Sequence, residues 1–235
     1  QHSIQSGIFI NFEVCNLFNI VPMENIDWLN LPFGYIKTDY NVRCTYMDGA
    51  WGKIQVSDSD FIPIHIAATA LHYGQESFEG LKAYRGKDDK VRYFRWDENA
   101  SRMQRSAEGI LMQPVPSEIF FEAITKAVTL NQQYVPPYGT GASLYIRPVL
   151  YGSGPEVGVK PSKEYTFIVF VTPVGPYFKH GFKPMRIAIV RDSDRSAPLG
   201  TGNLKVGGNY AASLRGDKKI KEMGFSSALY LDSVE

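Results

Sequence analysis

A single lysine held between two glycine-rich turns, with a helix start immediately after it, constrains this chain more than any other stretch. The run is Gly200-Thr201-Gly202-Asn203-Leu204-Lys205-Val206-Gly207-Gly208-Asn209-Tyr210-Ala211-Ala212-Ser213-Leu214. Glycines on both sides let the backbone take positive φ values and pass close to a ligand. Asn209 is a good N-cap for a helix running from Tyr210 towards Met223, and Gly224 is its expected stop. A lysine so placed can hold phosphate as a point charge, or attack a carbonyl as a Schiff-base nucleophile once its surroundings disfavour the charged form. A nucleotide-binding P-loop is excluded by spacing, because Lys205 follows Leu204 and precedes Val206 where that loop needs a Gly before and a Ser or Thr after. A solvated lysine in a surface loop is the competing reading at this point.

The rest of the chain narrows the class. Its 235 residues suffice for one large or two modest domains. A net charge of +1 argues against nucleic-acid or acidic-membrane partners, which leave a basic footprint. Cys15 and Cys44 form no C-x-x-C or ligand pattern, so a reduced, cytoplasmic compartment is expected. The apolar stretch Ile4–Val21 is broken by Asn11, Glu13, Asn16 and Asn19 and has no basic flank, so it is neither a signal peptide nor a membrane span. No metal site is expected: His2, His65, His72 and His180 are scattered, and none pairs at helical spacing. His72 reads as a structural histidine, and no G-x-S-x-G elbow marks a serine nucleophile.

Taken in order, Val42–Tyr46 and Lys53–Val56 flank Asp48-Gly49 as a hairpin. Phe61–Leu71 shows little helical periodicity. Leu81–Arg85 and Val91–Arg95 form a second hairpin around Gly86-Lys87-Asp88-Asp89. Asp97-Glu98-Asn99 caps a helix whose stripe is Ala100, Met103, Ala107, Ile110 and Leu111, ending before Pro114, with Arg102 and Arg105 off that stripe. A second helix from Ser117 buries Phe120, Phe121, Ile124, Ala127 and Val128 and stops at Pro136-Pro137. Strands follow at Ser143–Tyr151, Tyr165–Thr172, Met185–Val190 and Ser227–Leu231. Strands, then helices, then strands indicate an α+β fold. Residues 1–22 read as an upstream or non-native segment, 23–180 as a small N-terminal α+β domain, and 181–235 as the start of a second, incomplete domain.

Four separated motifs in order carry a family resemblance that covers roughly Trp28 onwards: His72-Tyr73-Gly74 with Phe78-Glu79-Gly80; Arg102-Met103-Gln104-Arg105; Tyr145-Ile146-Arg147-Pro148; and Leu204-Lys205-Val206-Gly207-Gly208-Asn209-Tyr210. Together they resemble the branched-chain amino-acid aminotransferases, pyridoxal 5'-phosphate enzymes of the class IV, D-alanine-aminotransferase-like fold. The resemblance implies that the chain holds that fold's complete small domain and the beginning of its larger cofactor-binding domain. It implies that Lys205 bonds the cofactor covalently and then moves the proton at the substrate Cα, that Tyr210 hydrogen-bonds the cofactor's phenolic oxygen, and that Arg105 binds its phosphate. Tyr73, Phe78, Tyr145 and Tyr177 match the aromatic wall of a substrate pocket. Arg147 matches an arginine suited to the distal carboxylate of glutamate or 2-oxoglutarate, and Arg195 sits where the family has another site arginine. The implied reaction moves an amino group between leucine, isoleucine or valine and 2-oxoglutarate, in a homodimer. A D-amino-acid aminotransferase, an aminodeoxychorismate lyase, and a binding module that keeps part of the fold are the alternatives. The family also has a glutamate for the pyridine nitrogen beyond the strand at Ser227–Leu231. Glu235 comes too soon after that strand for the role, so the expectation is either that the chain is a fragment of a longer enzyme or that it is poorly soluble and inactive alone, with Met185–Val190 and Ser227–Leu231 as exposed apolar edges.

Overall fold

The computed structural model describes residues 26–178 and 183–232. Residues 1–22, the expected boundary near residue 180, and Cys15, His2, His180 and Glu235 lie outside the described residues.

An antiparallel sheet begins where the Asp48-Gly49 signal placed a turn. Both residues have positive φ, 54° and 83°, the backbone that a two-residue hairpin turn demands. The turn joins β1 (Asn41–Met47) to β2 (Ala50–Trp51). The expected return strand Lys53–Val56 is instead split, because the chain leaves the ladder after Trp51 and re-enters as β3 (Gln55–Ser57), also on β1. A short helix α1 (Thr69–Tyr73), which the sequence did not announce, ends at Gly74 in the left-handed region, and β4 (Glu76–Phe78) follows. The second hairpin is β5 (Leu81–Arg85) with β6 (Val91–Tyr93). It closes before the expected Arg95, which has φ 49°.

The strands β7 (Ser143–Gly152) and β8 (Tyr165–Val174) form the sheet's centre, giving the order β2-β1-β8-β7-β5-β6, with β3 on β1 and β4 on β7. Leu144, Ile146 and Leu150 on β7 and Phe167, Val169 and Val171 on β8 are buried on one face. They join α2 (Trp96–Gly109) and α3 (Ser117–Leu130) in one apolar core. The helix bounds and stripes depart from expectation in four places. Asp97 and Glu98 lie in the first turn of α2 instead of capping it, where their charge still complements the helix N-terminus. Its stripe ends at Ala107, since the chain reverses at Leu111, which has φ 56° and is exposed. Phe121 is also exposed and rests on Trp96, ring centroids 4.4 Å apart, because the buried face of α3 runs through Phe120, Ala123, Ile124, Ala127 and Val128. That helix stops at Leu130, well before the Pro136-Pro137 pair, and a 3-10 turn at Gln132–Tyr134 fills the gap.

Beyond the sheet, β9 (Ile187–Val190) and β10 (Ser227–Tyr230) pair in parallel, connected through α4 (Gly207–Glu222). Parallel neighbours need such a crossover. The two expected apolar edges therefore cover one another along one side, and Ala188, Val190 and Ile220 form a second, smaller core. α4 begins at Gly207, three residues before the expected start. Val206 is its N-cap, so Asn209 does not cap the helix. Gly224, with φ 79°, is the expected stop. Among the described residues no helix is long and apolar enough to cross a membrane.

Candidate active site around Lys205

Alternation along β7 decides which side chains can form a site. Leu144 and Ile146 enter the core, so Tyr145 and Arg147 project from the opposite face. On β4, Phe78 and Glu76 share that period, with the fully buried Ser77 between them. The segment carrying Lys205 crosses this face: Phe78 N–H donates to the Lys205 carbonyl at 3.2 Å, and Ser77 bridges to Val206.

The lysine side chain is half-buried, and its Nζ donates to the Tyr210 hydroxyl at 2.7 Å. The same nitrogen stands 4.2 Å from the Phe78 ring centre and 4.7 Å from that of Tyr210. On Phe78 also rests the Arg147 guanidinium, 4.7 Å from the ring centre, while two of its N–H groups donate to the Tyr145 hydroxyl at 3.2 and 3.0 Å. Arg195 lies over the Tyr210 ring at 5.2 Å. Ring faces attract such cations without neutralising them. Among the described residues neither Lys205 nor Arg147 has a carboxylate in ion-pair contact, so both remain available to an anionic or carbonyl ligand.

Arg105 is exposed on α2 and, among the described residues, bonded only to Ser101 Oγ, at 2.8 Å. Its neighbour on the helix, Arg102, is committed differently. It grips the fully buried Glu79 with two bonds of 2.6 and 2.7 Å, and Asn99 adds a third at 2.8 Å. Of the two arginines in that motif, Arg105 is the one with no carboxylate partner among the described residues. Tyr177 is exposed and reaches the cluster through Phe33, whose ring meets both Tyr145 and Tyr177 at 5.6 Å. Tyr73 stands apart: its hydroxyl donates to the Val157 carbonyl, next to His72, whose Nε2 meets the Ile66 carbonyl at 2.7 Å.

The glycines around Lys205 work differently from the expectation. None of Gly200, Gly202, Gly207 and Gly208 has positive φ. At two of them space is short: a side chain on Gly207 would begin 1.7 Å from Glu76 Oε1 and one on Gly202 2.5 Å from Ser196 Cβ, whereas Gly208 faces open space. Asn209, displaced from its expected capping role, turns its amide back to the Thr201 and Leu204 carbonyls at 2.6 and 2.9 Å and closes the loop before the lysine.

Sequence reasoning missed four residues of this region. Glu76 is half-buried; desolvation raises its carboxyl above the ordinary range, against the lowering pull of the Gly207 N–H and Arg147. Lys82 pairs in register with Tyr145, and burial lowers its amine. Strand alternation outward from Phe78 and from Leu81 and Ala83 could have found both. Phe33 and Ser106 carry no pattern, and only the tertiary fold brings them in.

A lysine seated in this way, beside a phenol and between cationic side chains that can take anions, defines a class. The chain matches the class IV amino-transferase family model over residues 76–234, and it belongs to that family. Within it, the chain is 49% identical over 215 residues to the branched-chain-amino-acid aminotransferase of Haemophilus influenzae and 46% identical over 211 residues to that of Helicobacter pylori. Each match covers 89% of this chain and 62% of the relative, so the chain spans about three-fifths of those relatives' length. Among solved structures it resembles the Escherichia coli branched-chain amino acid aminotransferase, with a TM-score of 0.65 and 27% identity over 84% of this chain and 60% of that one. It also resembles a branched-chain amino acid aminotransferase from T.th. solved with pyridoxamine 5'-phosphate, with a TM-score of 0.62 and 27% identity over 81% of this chain and 59% of that one.

Proposed function

We propose that this chain carries the reactive lysine of a pyridoxal 5'-phosphate enzyme that moves an amino group between branched-chain L-amino acids (leucine, isoleucine, valine) and 2-oxoglutarate. The observation that carries the reading is Lys205 Nζ at 2.7 Å from the Tyr210 hydroxyl, over the Phe78 ring and without a carboxylate partner among the described residues. The names of the Haemophilus influenzae and Helicobacter pylori relatives support the substrate class. A neighbour solved with N-(5'-phosphopyridoxyl)-L-glutamate supports both the cofactor and the second substrate.

The residues present fit that cofactor. Lys205 offers a primary amine free of ion pairs among the described residues, Tyr210 a phenol beside it, and Arg105 a guanidinium fork with unspent donors of the kind that matches phosphate. When bound, pyridoxal phosphate supplies the electron sink for a carbanion at the substrate Cα. The protein's own work is positioning and proton transfer. Lys205 Nζ would hold the cofactor covalently and, as a free amine, would take the proton from the substrate Cα and return it on the other side of the exchange. Tyr210 orients that amine. The aromatic faces of Phe78 and Tyr145 exclude water from a branched apolar side chain, and Arg147 meets the distal carboxylate when the dicarboxylic substrate takes its turn. Tyr177 extends the aromatic wall through Phe33 in this reading, whereas Tyr73 stands apart and is assigned to the wall by the motif alone.

The same reading divides the chain into a small α+β domain up to about residue 180 and the start of a larger one, in line with the two separate cores. It takes the whole protein as a homodimer in a reducing, cytoplasmic setting, where the buried Cys44 stays a free thiol. Two donors test it. Full-length protein loaded with pyridoxal phosphate should turn over L-leucine with 2-oxoglutarate and leave D-alanine untouched; the opposite preference would move the chain to another branch of the family.

A further inference from the structure

The lysine segment is neither helix nor strand at Lys205, yet its main chain is held at three consecutive points. Asn209 Nδ2 donates to the Leu204 carbonyl at 2.9 Å, and the Phe78 N–H donates to the Lys205 carbonyl at 3.2 Å. Between them the Lys205 N–H donates to Ser106 Oγ at 2.9 Å. The first contact comes from within the loop and the second from backbone that any residue supplies. The third depends on one side chain of α2, 99 residues away, and Ser106 is 1% exposed.

That contact matters because a lysine side chain is long. Four rotatable bonds separate Nζ from the main chain, so an untethered backbone would spread the amine over several ångströms, whereas reaction needs it within a fraction of one. Anchoring the backbone on both sides of Cα leaves only the side-chain rotamers, and the Tyr210 hydroxyl and Phe78 ring then select among those. Ser106 also follows Arg105 directly in the sequence. One turn of α2 thus faces inward to the lysine main chain with Ser106 and outward with the guanidinium that the proposed function assigns to phosphate, so the two ends of the cofactor would be registered against one rigid helix.

We propose that Ser106 is a positioning residue for Lys205, fixing the lysine's main chain so that its amine stays at the Tyr210 hydroxyl. The inference rests on the role proposed for Lys205. Ser106→Ala in the full-length protein is the direct test, since alanine raises helix propensity and removes only the hydroxyl, leaving α2 able to fold. In cofactor-free protein, amide hydrogen exchange over Leu204–Val206 should accelerate about tenfold, the scale of one lost hydrogen bond, while the peptides of α2 and β7 keep their protection. With cofactor, kcat should fall at least tenfold at nearly unchanged KM, because substrate contacts are untouched and only the amine is displaced. Ser106→Thr keeps the hydroxyl and should retain the slow exchange. Unchanged exchange at Lys205 in Ser106→Ala, or acceleration spread evenly over α2 and β7, would overturn the proposal. Borohydride reduction of the unsubstituted protein followed by peptide mapping separates the two assignments. A pyridoxyl label away from Lys205 sinks the lysine reading, whereas a label on Lys205 with unaltered exchange in Ser106→Ala sinks only the role of Ser106.

Discussion

Lys205 makes its hydrogen bond to a phenol, and its amine lies against two ring faces. Removing it should therefore cost chemistry and little stability. Lys205→Ala in the full-length protein is expected to abolish transamination with a melting temperature within a few degrees of the parent; a tenth of the original turnover would be incompatible with the assignment. If Arg105 holds the cofactor phosphate as proposed, Arg105→Ala loses a charge-assisted contact of about 1.5 to 3 kcal/mol, roughly tenfold to more than a hundredfold in cofactor affinity by titration. Unaltered affinity would return Arg105 to a solvated helix face. Gly207 offers a test in which two effects have opposite signs. Propensity alone says that alanine near a helix start should stabilise by up to about 1 kcal/mol. The 1.7 Å approach of Glu76 Oε1 says that a methyl group there destabilises, by about 1 to 3 kcal/mol. Denaturant melts of Gly207→Ala, Glu76→Ala and the double variant decide between them, because relief of the clash should make the pair markedly less than additive. At this scale the sequence showed which residues carry reactive groups, but not what their neighbours do with them. Lys205, Tyr210, Arg105 and Arg147 were singled out through the family resemblance, and the fold gathers Lys205, Tyr210 and Arg147 around Phe78. Ser106 and Phe33 were not, since a lone serine on a helix or a lone phenylalanine in a loop has no signature until the chain folds back on it.

Elements were legible where a local signal had no competitor. Asp48-Gly49 and Gly224 took the positive φ expected of them, and both central strands formed within two residues of their expected bounds. The misplacements share a cause, in that tertiary contacts outbid local preference. Asn209, a good capping residue, spends its amide on the Thr201 and Leu204 carbonyls, and α4 starts upstream of it. Phe121 gives up a buried place because the sheet meets α3 along Phe120 and Ile124, and Leu111 because the chain has already turned. The 3-10 turn after α3 carries a pH-dependent contribution. Tyr134 is 8% exposed and donates to Asp39 Oδ1 at 2.8 Å. Burial first, then Asp39, raises its phenol to about 12 from the ordinary 10.0. The folded-state value lies above the unfolded one, so the stabilisation is complete below pH 10 and disappears as pH rises from 10 to 12. Its slope is about 1.4 kcal/mol per pH unit in that window. Urea unfolding at pH 9 and pH 11 should show the parent losing about 1.4 kcal/mol more than Tyr134→Phe; equal losses would mean that the phenol titrates normally.

At the scale of the whole molecule, one sheet does two jobs. Its inner face, with α2 and α3, holds the larger core, and its outer face holds Phe78, Tyr145 and Arg147 against the segment that leads into α4. The candidate site therefore lies where the two cores adjoin. The parallel pairing of β9 with β10 was not anticipated, although a helix was expected between them, because both short apolar runs were read as exposed edges and not as each other's partner. Glu79, fully buried, is gripped by the half-exposed Arg102 and by Asn99 and ties β4, β5 and α2 together beneath the site, and removing the arginine strands the buried carboxylate at a cost of about 3 to 5 kcal/mol. Arg102→Ala should accordingly unfold at clearly lower denaturant, a result that a purely catalytic role for Arg102 would not give. The central claim, that Lys205 is the residue that bonds the cofactor, is tested most directly by chemistry on the intact protein. Full-length protein incubated with pyridoxal phosphate, reduced with borohydride and digested should yield one pyridoxyl-bearing peptide, with the label on Lys205. A label on Lys82 or any other lysine, or no label at all, would contradict it.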